Sequence, residues 1–90
     1  MTIDIHNLRD QIDDIDSQIL SLLVLRNEYA RNVGLYKKEH NLPIIDLVRE
    51  ANIIKRIVQK ARESNIPEEH LRNIYWDIIN MSRSIQYEQE

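Results

Sequence analysis

The stretch IHNLRDQIDDIDSQILSLLVLRNEYARNVGLY (Ile5–Tyr36) decides the fold. Its apolar residues fall at positions 5, 8, 12, 15, 19 and 22 and again at 29, 33 and 36, in steps of three and four. This spacing is typical of a helical seam of coiled-coil type. Nothing interrupts it before Asn41-Leu42-Pro43, so we predict a first helix from about Asp4 to about His40. At 1.5 Å per residue such a helix is ~50 Å long.

Two shorter helices are predicted to follow. The second begins near Asp46, whose side chain is suited to cap free backbone N–H groups, and ends at about residue 63. The third runs from about residue 67 to 88, because Pro67 fits the first helical position. The expected apolar stripes are, for the second helix, Leu47, Ala51, Ile54, Val58 and Ala61, and for the third, Leu71, Ile74, Ile78 and Ile85.

The composition excludes several classes of protein. With 1 Gly and 2 Pro in 90 residues, the chain lacks the turn signals that an all-β fold needs every ~8–12 residues. We therefore expect one all-α domain over residues 1–90. The formal net charge of −3 argues against a general nucleic-acid binder, which needs a basic face.

The sequence also predicts a soluble, cytoplasmic protein. It contains no Cys, which excludes disulfides and thiolate metal sites and suits the cytosol. The first residues lack the basic start and the apolar stretch of a signal peptide, so none is expected. The richest apolar run, Ile19–Leu25, is far shorter than the ~20 residues that span a membrane.

The long helix has too much apolar surface for one chain to cover. The two short helices, about 46–63 and 67–88, cannot cover a seam of ~50 Å unless they spread along it. A second copy of the chain is the simplest cover. We therefore predict an obligate homodimer in which the long helices pair, so that folding and association are inseparable.

Polar residues interrupt the seams. Arg26 stands where the pattern requires an apolar residue, and Lys37 follows eleven residues later, ~20° around the helix and ~16 Å along it. In the third helix Ser82 and Gln86 lie one turn apart on the apolar stripe. Each has an ordinary explanation: a cation that extends to water, a hydroxyl bonded to its own helix, or an exposed amide. Together they indicate a polar pocket, since buried charges are costly unless paired.

Two further groups of residues are ambiguous. Asp46, Arg49 and Glu50 share the first turn of the second helix, either as an N-cap with a surface ion pair or as a polar lip over the pocket. Arg9 lies ~25 Å along the helix from Arg26, so no small ligand touches both within one straight helix. Arg9 is either an exposed arginine or a residue that the partner chain supplies to the pocket.

No metal or cofactor site is expected. His6, His40 and His70 lack the paired spacing of a helical metal site. The acidic residues between 10 and 16 lack the central Gly and closing Glu of a calcium loop.

The sole glycine, Gly34, lies inside the first helix, where close packing against another helix is a reasonable explanation for it.

Nearly the whole chain, from Leu8 to Gln86, resembles the all-helical (type II) chorismate mutases. The blocks that carry the resemblance are Leu8-Arg9-x3-Ile12-x2-Ile15-Asp16, Leu22-Leu23-x2-Arg26, Val33-Gly34-x2-Lys37, Pro43-Ile44-x-Asp46-x2-Arg49-Glu50 and Ile78-Ile79-x2-Ser82-x3-Gln86. The spacing between blocks fits without gaps. The resemblance implies an intertwined homodimer with two equivalent sites that convert chorismate to prephenate, on the route to phenylalanine and tyrosine.

The resemblance also implies a role for each site residue. Arg26 and the partner's Arg9 would hold the two substrate carboxylates, with Ser82 assisting. Lys37 and Gln86 would face the ether oxygen. Two acidic residues would engage the ring hydroxyl and one arginine would complete the wall: Glu50, Asp46 and Arg49. Such a rearrangement needs no nucleophile and no cofactor, only a folded substrate and fixed donors for the developing charge.

Two other functions remain open. A lyase of the same fold that eliminates pyruvate from isochorismate would need similar carboxylate clamps and a similar lysine. A non-catalytic dimeric helical regulatory module could keep the scaffold, but it would gain from apolar residues at Arg26 and Ser82.

Overall fold

A computed structural model describes residues 3–90 and contains three α-helices. They are α1 (Ile5–Glu39), α2 (Leu47–Glu63) and α3 (Glu68–Tyr87), and residues 3–90 contain no strand. The predicted all-α class and the division into one long and two shorter helices are confirmed. Met1 and Thr2 of the predicted domain lie outside the described residues. None of the three helices is both long enough and apolar enough to cross a membrane.

The helices begin and end where local chemistry dictates. Asp4 caps α1 by accepting the His6 N–H at 2.9 Å. The chain leaves α1 through Asn41, whose φ of 54° is left-handed. This turn lets the Leu42 N–H donate to the Lys37 carbonyl at 2.8 Å, which satisfies a carbonyl that the helix leaves free. Asparagine tolerates this conformation better than most non-glycine residues, which explains how α1 stops without a glycine.

The third helix holds the protomer together. It packs against both α1 and α2, whereas α1 and α2 form no helix–helix contact with each other within residues 3–90. The buried core cluster is small and consists of Ile53, Ile57 and Ile79. The radius of gyration is 16.8 Å, against about 12 Å for a compact domain of this length. The single chain is thus an elongated layer of helices, 60 × 24 × 14 Å.

The buried face of α2 agrees with the predicted one only in part, since Ala61 of the predicted stripe is buried and Ile54 packs against the core. Ile53 and Ile57 are buried against α3, whereas Leu47 of the predicted stripe is 71% exposed. In α3, similarly, Ile85 of the predicted stripe is buried and Leu71 packs against the core, but Ile79 is buried as well and Ile74 is exposed. Because α2 is apolar on two adjacent faces, the sequence pattern alone cannot tell which one packs within the chain. The other face of α2 remains open in the protomer.

The two halves of α1 differ in their surroundings. Every residue from Ile3 to Leu22 is exposed, whereas Ala30 and Gly34 in the second half are buried. A Cβ on Gly34 would lie 2.9 Å from the Gln86 Cα, closer than real side chains approach. Gly34 therefore allows the end of α3 to approach α1 closely, as the sequence predicted.

Candidate active site

A pocket of about 290 Å³ lies where the second half of α1, the start of α2 and the end of α3 converge. Seven of the eight predicted site residues line it: Arg26, Lys37, Asp46, Arg49, Glu50, Ser82 and Gln86. Apolar side chains such as Val33, Ile53 and Ile79 supply the rest of its wall. The fold thus brings together residues that are far apart in sequence, such as Arg26 and Ser82, which are 56 residues apart.

Arg26 and Ser82 contact each other across the α1–α3 interface. A guanidinium N–H of Arg26 donates to the Ser82 Oγ, and Ser82 is buried. Ser82 is thus engaged by another helix. Burial, together with the repulsion from Arg49, lowers the pKa of Arg26. The guanidinium remains charged at neutral pH, partly desolvated and bonded to a neutral hydroxyl, which favours the approach of an anion.

Lys37 and Gln86 form a second polar pair. The Lys37 ammonium donates to the Gln86 Oε1 at 2.7 Å and to the Ile44 carbonyl at 2.6 Å. Since an ammonium has three N–H donors, one is left for a ligand. The carboxamide oxygen is turned to Lys37, so its NH₂ group is also left to donate. Gln86 is buried, which excludes the alternative explanation of an exposed amide at this position.

Asp46 and Glu50 have different surroundings although both lie at the start of α2. The Asp46 carboxylate caps the helix by accepting the Arg49 backbone N–H at 3.0 Å, as the N-cap interpretation predicted. Glu50 is only 6% exposed. Its carboxylate pairs with Arg83 of α3, so the predicted surface ion pair within the first turn is replaced by a pair between helices.

Arg83 is the pocket residue that the sequence analysis missed. Its Nε donates to the Glu50 Oε2 at 2.8 Å, and its Nη2 donates to the other carboxylate oxygen. This two-point hydrogen bond raises the pKa of Arg83. A signal exists in the sequence, because Arg83 is four residues after Ile79 and three before Gln86, on the same helix face.

Arg9 is the predicted site residue that one chain does not bring to the pocket. It lies in the first half of α1, is exposed, and is seventeen residues, or ~25 Å of helix, away from Arg26.

The charges of the pocket favour an anionic ligand. Among residues 3–90, Arg26, Lys37 and Arg49 form no salt bridge, whereas Arg83 is neutralised by Glu50. Three cations with no carboxylate partner in that range line one small cavity. The same described part of the chain contains no cluster of three His, Asp or Glu side chains that could hold a metal ion.

Comparison with known proteins identifies the family of this chain. A family model described as chorismate mutase type II matches residues 8–87. The chain is 34% identical over 79 residues to a chorismate mutase from Methanocaldococcus jannaschii, a match that covers 88% of this chain and 80% of that protein. It is 36% identical over 86 residues to a bifunctional chorismate mutase/prephenate dehydratase from Aquifex aeolicus. That match covers 92% of this chain but only 24% of the relative.

A solved structure is similar over nearly the full length. It is a conserved hypothetical protein from Pyrococcus furiosus, with a TM-score of 0.72 and 37% sequence identity. The match covers 96% of this chain and 99% of that one. The three-helix architecture is therefore shared between the two proteins.

Proposed function

Because this chain belongs to the type II chorismate mutase family, we propose that it is a chorismate mutase that rearranges chorismate to prephenate, as a homodimer. The product serves the synthesis of phenylalanine and tyrosine. The observation that carries the proposal is the convergence of three cations, unpaired within residues 3–90, with a buried amide in one cavity. A substrate with two carboxylates and an ether oxygen matches these groups.

The first step is to fold the substrate. Arg26 binds one carboxylate with the N–H groups that Ser82 does not use, and Arg49 completes the wall beside it. The partner's Arg9 binds the second carboxylate. Holding both ends of the substrate places the two carbon atoms that form the new bond next to each other. Binding energy thus offsets the entropic cost of reaching this folded conformation. Arginine suits this role because its planar fork matches a carboxylate.

The second step is to stabilise the developing charge. When the C–O bond of the ether breaks ahead of C–C bond formation, negative charge accumulates on the oxygen. Lys37 and Gln86 each have a free N–H for that oxygen, and their contact at 2.7 Å fixes them before the reaction begins. Donors fixed in advance stabilise a transition state without reorganisation.

The acidic side of the pocket binds the ring hydroxyl. Glu50 is a buried acceptor, and Asp46 lies beside it at the start of α2. A carboxylate here accepts a hydrogen bond from the hydroxyl.

The surface of the protomer supports the proposed dimer. The chain exposes 7261 Å², against about 5,500 Å² for a compact monomer of this size. The apolar stripe at the start of α1, formed by Ile5, Leu8, Ile12, Ile15 and Ile19, is between 48% and 56% exposed. A monomer rarely leaves such a stripe in water, so a second copy is the natural cover.

A second open surface lies beside the pocket. The outer groove, about 590 Å³, is lined by the unburied face of α2 and by α3, with Leu47, Ala51, Ile54, Val58 and Trp76 as its apolar residues. Glu50 lines both this groove and the candidate pocket. A partner helix whose stripe fills the outer groove passes the mouth of the pocket, and in that position Arg9 of the partner subunit reaches the substrate.

Incubation of the purified chain with chorismate tests the proposal. We expect chorismate to disappear and prephenate to form, without release of pyruvate. Isochorismate serves as the parallel substrate, since pyruvate from it would identify the lyase. A chain that consumes neither compound would be a non-catalytic module, and the proposal would be wrong.

The variant Gln86→Glu is expected to lose activity at neutral pH and to regain it in acid. A carboxylate at position 86 offers no proton to the ether oxygen and repels its developing charge. As the pH falls toward the usual glutamate range of about 4.3, the protonated form becomes a donor. The measurement is kcat at saturating chorismate from pH 8 to pH 4.

The controls for this variant are the original chain and Gln89→Glu, which adds the same charge three residues further along the chain, just after the end of α3. Both should lack the rise in acid. A Gln86→Glu profile parallel to theirs would contradict direct contact between residue 86 and the reacting oxygen.

A further inference from the structure

We propose that Arg83 is a positioning residue that holds the Glu50 carboxylate in place for the substrate hydroxyl. The inference rests on the proposed function, since it concerns how one wall of the same site is kept in order. It concerns the contact between Glu50 of α2 and Arg83 of α3, and the sequence pattern did not indicate Arg83.

The geometry of the pair is that of a fixed carboxylate. Two N–H groups of Arg83 donate to the two oxygens of Glu50, one of them at 2.8 Å. Two parallel hydrogen bonds fix the plane of a carboxylate, whereas a single contact leaves it free to rotate. Glu50 comes from α2 and Arg83 from α3, so the pair also sets where the carboxylate stands relative to the two helices.

The pair solves an electrostatic difficulty of the pocket. Glu50 is only 6% exposed and lines a cavity that is proposed to receive a doubly anionic substrate. An uncompensated carboxylate would repel that substrate and would itself be costly to bury. Arg83 cancels this charge. Each carboxylate oxygen has a second lone pair, so Glu50 can still accept a hydrogen bond from the hydroxyl while both of its oxygens are hydrogen-bonded to Arg83.

Arg83 differs in this respect from the other paired arginine of α3. Arg72 binds Glu68 and Glu69, which lie within one turn of it on the same helix. Those carboxylates do not line the candidate pocket. Arg72 and Arg83 are eleven residues apart, which places them on nearly the same helix face. Arg72 does line the outer groove, so Arg72→Ala is a matched control for the loss of an arginine and its ion pairs once sedimentation shows that it still forms the dimer.

The test compares the kinetics of Arg83→Ala, Arg83→Lys and Arg72→Ala on chorismate. The ring hydroxyl takes no part in the bonds that break and form, so the interaction of Glu50 is about equal in ground state and transition state. Arg83→Ala should therefore raise KM about tenfold or more with a smaller change in kcat. Arg83→Lys should recover some of the loss, because it restores the charge but not the fork. Arg72→Ala should leave KM unchanged.

A double-mutant cycle with Glu50→Gln separates positioning from a general effect on the fold. If Arg83 acts through Glu50, Arg83→Ala costs little in a chain that already carries Glu50→Gln. The thermal midpoint of each variant is recorded alongside. Additive losses in the cycle, or a lower midpoint with an unchanged KM, would overturn the inference.

The outcomes also separate this inference from the proposed function. A wild-type chain that does not consume chorismate would overturn both. An active wild-type chain whose KM is unaffected by Arg83→Ala would overturn the inference alone. If Arg83→Ala does not fold, Arg83→Lys decides the matter, since it is expected to raise KM and an unchanged KM would refute the role of the fork.

Discussion

Replacing Lys37 with alanine is expected to lower kcat at least ~100-fold, the loss that follows when one fixed transition-state donor is removed. The ammonium contributes twice in the proposed mechanism. It donates to the ether oxygen as charge develops there, and its hydrogen bond to the Gln86 Oε1 turns the amide NH₂ toward the ligand. Its loss therefore disables both donors. The measurement is kcat and KM for chorismate in Lys37→Ala, and the larger change should be in kcat.

The neighbouring exposed lysine provides the control. Lys38→Ala removes the same charge from the same turn of α1 without touching the pocket, and should retain normal turnover. Because Lys37 also donates to the Ile44 carbonyl, circular dichroism must show that Lys37→Ala keeps its helices. A folded Lys37→Ala chain with nearly normal turnover would contradict the proposed role.

The second large effect concerns two arginines from different protomers. Arg9→Ala and Arg26→Ala should each lose activity ~30-fold or more, since each leaves a substrate carboxylate without its charged partner. Mixing the two variants after joint unfolding and refolding should restore activity. Each mixed dimer then contains one site with both arginines, and random pairing gives about a quarter of normal activity. No recovery would mean that Arg9 does not act across the dimer.

A second mixture makes this result specific. Arg26 and Lys37 line the same pocket within one chain, so Arg26→Ala mixed with Lys37→Ala should give no recovery. Recovery in both mixtures would indicate that exchange repairs folding rather than the site. Sedimentation of the unmixed chain measures the dimer directly.

Much of the fold follows from the spacing of apolar residues. The predicted helices, about 4–40, 46–63 and 67–88, agree with the observed Ile5–Glu39, Leu47–Glu63 and Glu68–Tyr87. This agreement reflects strong local signals, namely the apolar spacing of three and four residues and the caps at Asp4 and Asp46. The segments that contain Pro43 and Pro67 interrupt the helical pattern, so they fix where the helices begin and end.

The polar pocket was only partly predictable. Arg26 and Ser82 are conspicuous because they replace apolar residues on a seam, and they do meet. The partner of Glu50 was missed, although Arg83 shares a helix face with Ile79 and Gln86, because the predicted stripe of α3 did not include Ile79. The buried face of α2 was identified only in part for a related reason, since periodicity gives the width of an apolar sector but not which side of it packs against a neighbouring helix. Both errors concern how helices are rotated against each other.

The missing side chain at Gly34 has a consequence for the chemistry of the pocket. The backbones of α1 and α3 lie close together at Gly34 and Gln86. This close approach sets the distance between the Lys37 ammonium and the Gln86 amide. A single added methyl group would act as a wedge between the helices. It would press directly on Gln86, whose Cα would lie 2.9 Å from the added carbon, and would displace the amide from the Lys37 ammonium.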